Sequence, residues 1–322
     1  MKSCFAIFLA AALLCTLFAC AAESPVQATE PYAGLKEAVD HITIKEIQYG
    51  ISMTELDLSD MNLHNEDIVP LCYMTNLTKL NLKDNQISDL TPLAGLINLT
   101  GLDISLNQIS DLAPLAGLIN LNLLELEGNY INELAPLSGL ANLTALGLYD
   151  NQVSDLTPLA GLTNLTALLL FKNHISDISP LASLTELKYL NMSRNQISDL
   201  TPLSGLINLA DLQLGRNLIS DLTPLSGLTN LTALFLYVNE ISDLTPLSGL
   251  ANLTDLILER NRISDLSPLA GLTGLSVLGL KDNRVSDLTP LAGLAGLTSL
   301  GLEGNQISDW SPVAHVPSVR GR

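Results

Sequence analysis

Past its first 22 residues the chain has one cysteine, two phenylalanines and one tryptophan. Cys4, Cys15 and Cys20 all lie in the N-terminal apolar stretch, and Cys72 stands alone in the remainder. No internal disulfide is therefore expected in the mature fold, and Cys72 is expected to be a small buried side chain. Basic residues are also scarce. Fifteen Lys and Arg face 33 Asp and Glu, for a net charge of −18. Nucleic acid and anionic lipid both need a basic footprint, so neither is an expected partner. The four histidines, His41, His64, His174 and His315, are scattered. No Ser–His–Asp or Cys–His arrangement and no glycine-rich phosphate loop is visible. The chain reads as a non-enzyme, with no cofactor and no metal expected.

What it has in abundance is one motif. Residues 77–98 read LTKLNLKDNQISDLTPLAGLIN, and the same 22-residue unit starts again at Leu99, Leu121, Leu143, Leu165, Leu187, Leu209, Leu231, Leu253, Leu275 and Leu297. These eleven units end near Ser318. A period in the twenties with this pattern is the leucine-rich repeat signature. Leu80 and Leu82 alternate with polar residues at strand spacing. Ile87, Leu90, Leu93 and Leu96 recur every third residue, the spacing of short 3₁₀ or helical turns. Pro92 lacks an N–H and argues against a long α-helix. One unit has no second layer to bury its leucines against, so it becomes stable only when stacked between neighbours. The expected fold is α/β: a right-handed, curved leucine-rich repeat solenoid, with a parallel β-sheet on the concave face and short 3₁₀ or helical turns on the convex face.

Two polar positions repeat as strictly as the leucines. Asn85 recurs every 22 residues to Asn305. Its amide is expected to satisfy backbone groups where the chain turns inward after each strand. Asp89 recurs to Asp309, with Glu133 as its one replacement. Ser88 and Asp89 are expected to cap the following turn by accepting backbone N–H bonds.

The flanks divide the chain further. Residues 1–22 carry Lys2 and then no charge until Glu23, as a secretory signal does. Leu17-Phe18-Ala19-Cys20 resembles a bacterial lipobox, which makes Cys20 the expected lipidation site; ordinary cleavage near Ala22 and an uncleaved anchor are the alternatives. Membrane contact is expected only through such a lipid or anchor, and the destination is the cell envelope or surface. Residues 23–31 read as a tether, 32–52 as an N-terminal cap, 53–318 as the repeat domain with an irregular first repeat at 53–76, and 319–322 as a tail. Within the cap, 35–39 suggests helical turns and Ile42-Thr43-Ile44 a strand. At the far end, Trp310, Val313 and Val316 form at best a partial cap, which leaves covering of the open edge to Trp310 or to a partner.

The repeats, L-x-x-L-x-L-x-x-N-x-I-S-D-L-x-P-L-x-G-L-x-N, resemble those of the internalin family of bacterial surface proteins over about residues 53–318. That resemblance implies a protein-binding role for the concave strand face, as in an adhesin or host-interaction factor. With no immunoglobulin-like region or wall-sorting motif after the repeats, attachment is expected through the N-terminus.

Residues that alternate with the buried leucines are free to vary, and they do. Tyr149, Phe171, Tyr189, Phe235 and Tyr237, five of the ten aromatics after the signal, fall at outward strand positions. Leu169, Val238 and Ile257 add apolar area. Exposed aromatics on a rigid sheet are typical interface anchors. Lys172, Arg194 and Arg216 occupy the position before the repeated Asn in three successive units, and Arg260 repeats it. This basic rim either meets partner carboxylates or balances local acid. Asp103, Glu125 and Glu127 give the earlier strands the opposite charge. The function expected is non-catalytic binding of a protein partner; the alternative is an envelope structural protein with no specific ligand.

Overall fold

A computed structural model of the chain describes residues 40–321. These belong to two compact units, one ending at Leu143 and the other beginning at Thr144. The signal, the tether and the helical turns expected at 35–39 lie outside the described residues.

The first unit opens with an antiparallel hairpin of β1 (His41–Ile44) and β2 (Ile47–Gly50). Lys45 and Glu46 both take positive φ, +46° and +68°, as a two-residue turn between twisted strands requires. Ile42 and Ile44 are buried, in the alternation expected of a strand. Lys45 Nζ lies 3.0 Å from Asp67 Oδ2 and ties the hairpin to the short helix α1 (Asn65–Ile68). The irregular repeat thus carries α1 and a five-residue 3₁₀ helix, Val69–Tyr73. Cys72, in that 3₁₀ helix, corrects the expectation above: it is half-buried and disulfide-bonded, and the other three cysteines precede the described residues. Strands β3 (Glu55–Asp57), β4 (Lys79–Asn81), β5 (Gly101–Asp103) and β6 (Leu123–Glu125) then pair in parallel, with Leu56, Leu80, Leu102 and Leu124 in register.

The second unit repeats the scheme. Its strands are β7 (Ala145–Gly147), β8 (Ala167–Leu169), β9 (Tyr189–Asn191), β10 (Asp211–Gln213), β11 (Ala233–Phe235), β12 (Asp255–Ile257), β13 (Val277–Gly279), β14 (Ser299–Gly301) and β15 (Ser318–Arg320). Each pairs in parallel with the next in chain order. Strand β15 takes in Val319 and Arg320, which the sequence pattern leaves to the tail. Val319 stands opposite Leu300, 19 residues on rather than 22, so the period no longer marks it.

Within a repeat, the local physics is the same each time. Leu80, Leu82, Ile87, Leu90, Leu93 and Leu96 are at most 2 % exposed, and each contributes about 1.5–3 kcal/mol by burial. Pro92 sits in the three-residue 3₁₀ helix Thr91–Leu93, where its missing donor does no harm. Asp89 Oδ1 accepts the Thr91 N–H at 2.9 Å and the Thr91 hydroxyl at 2.6 Å. The equivalent bonds recur down to Asp309 with Ser311. Hydrogen bonds from the Thr157 hydroxyl and N–H hold the Asp155 carboxyl below its ordinary range. The Asp half of the expected cap is therefore present, but Ser88 does something else: it meets the Asn65 side chain.

The repeated asparagines join one repeat to the next. Asn173 Oδ1 accepts the Val153 N–H at 2.9 Å, while its amide donates to the carbonyls of Leu148, at 2.9 Å, and Leu170, at 3.2 Å. A second series, Asn98, Asn120 and Asn142 in the first unit and Asn208, Asn230 and Asn252 in the second, donates to a carbonyl of the preceding repeat. Between the strand and the repeated Asn, the chain passes through one left-handed residue. φ is +56° at Asp84, +58° at Lys172, +57° at Arg216 and +55° at Val238. Asp and Gly tolerate this region best, and a β-branched valine there is strained.

Candidate protein-binding face

Strands β3 to β14 each show their even-numbered leucine to the core, with the residues on either side of it on the opposite face. Tyr189, Phe235, Leu169 and Ile257 lie on strands, and Tyr149, Phe171 and Tyr237 two residues beyond a strand's end. All seven are half-buried, none being packed among the leucines. The largest exposed apolar side chains lie elsewhere: Ile97, Ile119 and Ile207 just after the 3₁₀ helices, and Tyr130 and Leu218 just past the repeated Asn, each 55–57 % exposed.

In the second unit the apolar residues form two islands rather than one patch. The first is Tyr149, Leu169 and Phe171. The Tyr149 and Phe171 rings are 4.8 Å apart and tilted by 57°, within the range of aromatic contact. The Arg194 guanidinium lies 5.3 Å from the centre of the Phe171 ring, within cation–π range. The second island is Phe235, Tyr237 and Ile257. Phe235 and Ile257 are register partners on β11 and β12. Tyr237 leans over Gly215, where a Cβ would overlap its ring. Ile257 similarly lies over Gly279, 3.1 Å from where a Cβ would stand. Glycine at those outward positions is what lets the larger neighbours lie down.

Between the islands runs a polar strip that the sequence reading did not single out. The Asn191 amide donates to Gln213 Oε1 at 3.0 Å, and the Gln213 amide donates to the Tyr189 hydroxyl and to Asp211 Oδ1, both at 3.1 Å. Tyr189 therefore belongs to this network rather than to either island. Burial pushes the Asp211 carboxyl up from its ordinary range, partly offset by the Gln213 bond. Burial, and then Asp211, push the Tyr189 hydroxyl up as well. A sequence signal existed: polar residues at outward positions on β9 and β10, in register.

The basic rim divides by partner. Lys172 Nζ is 2.6 Å from Asp150 Oδ2, and Arg260 Nε is 3.2 Å from Asp282 Oδ2, so these two balance local acid. Arg194 and Arg216 are exposed and make no ion pair among the described residues.

The first unit's face is different. A shallow depression of about 430 Å³ opens over Gly101, lined by Glu55, Asp57, Lys79, Asn81, Asp103 and Leu123. Lys79 pairs with Glu55 at 2.8 Å. Burial, then Asp103 and Glu127, push the Glu125 carboxyl up. No cluster of His, Cys, Asp and Glu suited to a metal occurs among the described residues. His41 pairs with Asp40, His64 lies beside Asp67, and His315 bonds the Leu294 carbonyl.

This architecture defines a leucine-rich repeat protein. A family model described as Leucine Rich repeats (2 copies) matches residues 141–183, 163–205, 185–227, 229–271 and 251–293. The crystal structure of an internalin, InlF, from Listeria monocytogenes is 36 % identical, with a TM-score of 0.74 over 86 % of this chain and 90 % of that one. The chain belongs to the internalin family. A leucine-rich repeat protein of Leptospira interrogans shares the fold at 23 % identity, with a TM-score of 0.74 over 84 % of this chain and 79 % of its own. The functional domain of InlJ from Listeria monocytogenes does so at 20 % identity, with a TM-score of 0.53 over 83 % and 71 %. No curated protein sequence matches the chain.

Proposed function

We propose that this chain is a non-catalytic receptor or adhesin of the bacterial envelope that binds a protein partner through the outward face of its parallel strands. A leucine-rich repeat fold of internalin type is typically a protein-interaction module. One observation carries the reading to these residues. The framework of every repeat is nearly invariant, and outward positions beside β7 and β8 and on and beside β11 and β12 depart from it with aromatic and aliphatic side chains that the core does not need. Tyr149, Leu169, Phe171, Phe235, Tyr237 and Ile257 supply apolar anchors, Tyr189 a hydrogen-bonding hydroxyl, and Lys172, Arg194 and Arg216 the charged border. Aromatic anchors with charged residues beside them are how protein interfaces concentrate their energy.

The test is affinity capture from host extract and from the producer's own envelope, using the full chain and its Phe171→Ala/Phe235→Ala variant. A partner retained by the wild type, and lost by a variant with unchanged thermal stability, supports the reading. Equal capture by both removes the face from consideration.

A further inference from the structure

The sheet-face reading just given leaves the partner's chemistry open, and the second unit's two edges narrow it. At the left-handed position the edge is basic, with Lys172, Arg194, Arg216 and Arg260. At the start of the strands the edge is acidic, with Asp211 and Asp255 opening β10 and β12. Lys172 and Arg260 are already neutralised within the fold. Arg194 and Arg216 carry no intramolecular carboxylate among the described residues, in a protein of net charge −18. A guanidinium fork matches a carboxylate in two parallel bonds.

Val238 occupies the same left-handed position, in the repeat between those of Arg216 and Arg260, with φ +55°. Asp282 and Gly304 suit that backbone, while Leu106, Lys172, Arg194, Arg216 and Arg260 take it as well. What sets Val238 apart is its place: an apolar side chain on the basic edge, close in sequence to Tyr237 and between the repeats of two cations.

We propose that this face takes an extended acidic segment of a partner polypeptide, running across the strands along the basic edge. One apolar side chain of the segment rests on Phe235, Tyr237, Val238 and Ile257, a second on Tyr149 and Phe171, and a carboxylate between them meets Arg194 or Arg216. From β8 to β11 is three strand spacings, or about 14 Å at ~4.8 Å each. An extended chain covers ~3.3–3.6 Å per residue, which places the two anchors about four residues apart. Asp211 and Arg216 are five residues apart, at most about 16 Å at ~3.3 Å per residue. That approaches two screening lengths at physiological salt, so Asp211 and Asp255 do not cancel the segment's attraction to the basic edge.

The experiment is selection of a phage-displayed library of random peptides, about twelve residues long, on the full chain, followed by fluorescence anisotropy of synthetic copies. The expected winners are rich in Asp and Glu, with apolar residues about four apart. Their affinity falls about tenfold or more on Arg216→Glu and on Val238→Asn, weakens with added salt, and is unmoved by Ile207→Ala on the other side of the repeat. Winners without an acidic excess, or indifferent to Arg216→Glu, overturn the acidic segment. If those same winners are still lost on Phe171→Ala/Phe235→Ala, the sheet-face reading survives. A library that yields no specific peptide also overturns the inference, and the capture experiment then judges the face separately.

Discussion

Asn173→Ala removes one amide from the repeat and tests how the repeats hold together. The residue is 6 % exposed, so water cannot readily replace what is lost. Its amide donates to the Leu148 and Leu170 carbonyls, but each keeps another partner: Asn151 also bonds Leu148, and Asn195 also bonds Leu170. The Val153 N–H is in a different position. Its acceptor is Asn173 Oδ1 at 2.9 Å, and alanine leaves it buried and unsatisfied. An orphaned buried donor costs about 1–3 kcal/mol, and each lost bond about 0.5–1.5 kcal/mol more. The expected loss is therefore about 2–4 kcal/mol, against about 0.5 kcal/mol or less for the exposed Gln152→Ala. Urea denaturation followed by far-ultraviolet circular dichroism measures both, and amide exchange at Val153 should accelerate in the variant. A loss for Asn173→Ala no larger than the Gln152→Ala control would refute the idea that the amides supply the turn's missing partners.

Other expectations follow from the same geometry. Val238→Asn relieves a β-branched residue in the left-handed region, so it should raise stability by about 1 kcal/mol while weakening partner binding; a fall in the denaturation midpoint would contradict the strain. Glu125 titrates above its ordinary range because it is buried and faces Asp103 and Glu127. The folded state therefore binds its proton more readily than the unfolded chain, and the ionised carboxylate opposes folding as pH rises through the raised value. Glu125→Gln should stabilise the protein near neutral pH and lose that advantage below the usual glutamate range; an equal effect at both pH values would refute the assignment. Gly215→Ala should displace the Tyr237 ring and reduce partner affinity with little change in stability, as calorimetry of the variant and a binding titration would show.

The fold was legible because one constraint is repeated eleven times. Leucines two apart, then three apart, leave no other way to bury both sets, and the asparagine that follows each strand has a donor and an acceptor to place. The hairpin strand at Ile42–Ile44 could be read from alternation alone. What could not be read is what depends on register. Lys172 and Asp150 are 22 residues apart, and only stacking makes them neighbours. The same is true of Gln213 with Asn191 and Tyr189, 22 and 24 residues away, so the split of the aromatics into two islands was invisible in a list of outward positions. The left-handed position was hidden for another reason: in six of the eleven repeats Lys, Arg, Leu or Val occupies it, and none of these is a turn residue. The backbone there is imposed by neighbouring repeats rather than chosen by the side chain.

Hydroxyl-radical footprinting of the full chain, alone and with its captured partner, reads side-chain exposure directly. The account predicts that labelling of Tyr149, Phe171, Phe235 and Tyr237 drops in the complex, while Ile97, Ile119 and Ile207 beside the 3₁₀ helices label as before. Protection of those isoleucines with the four aromatics unchanged would contradict it.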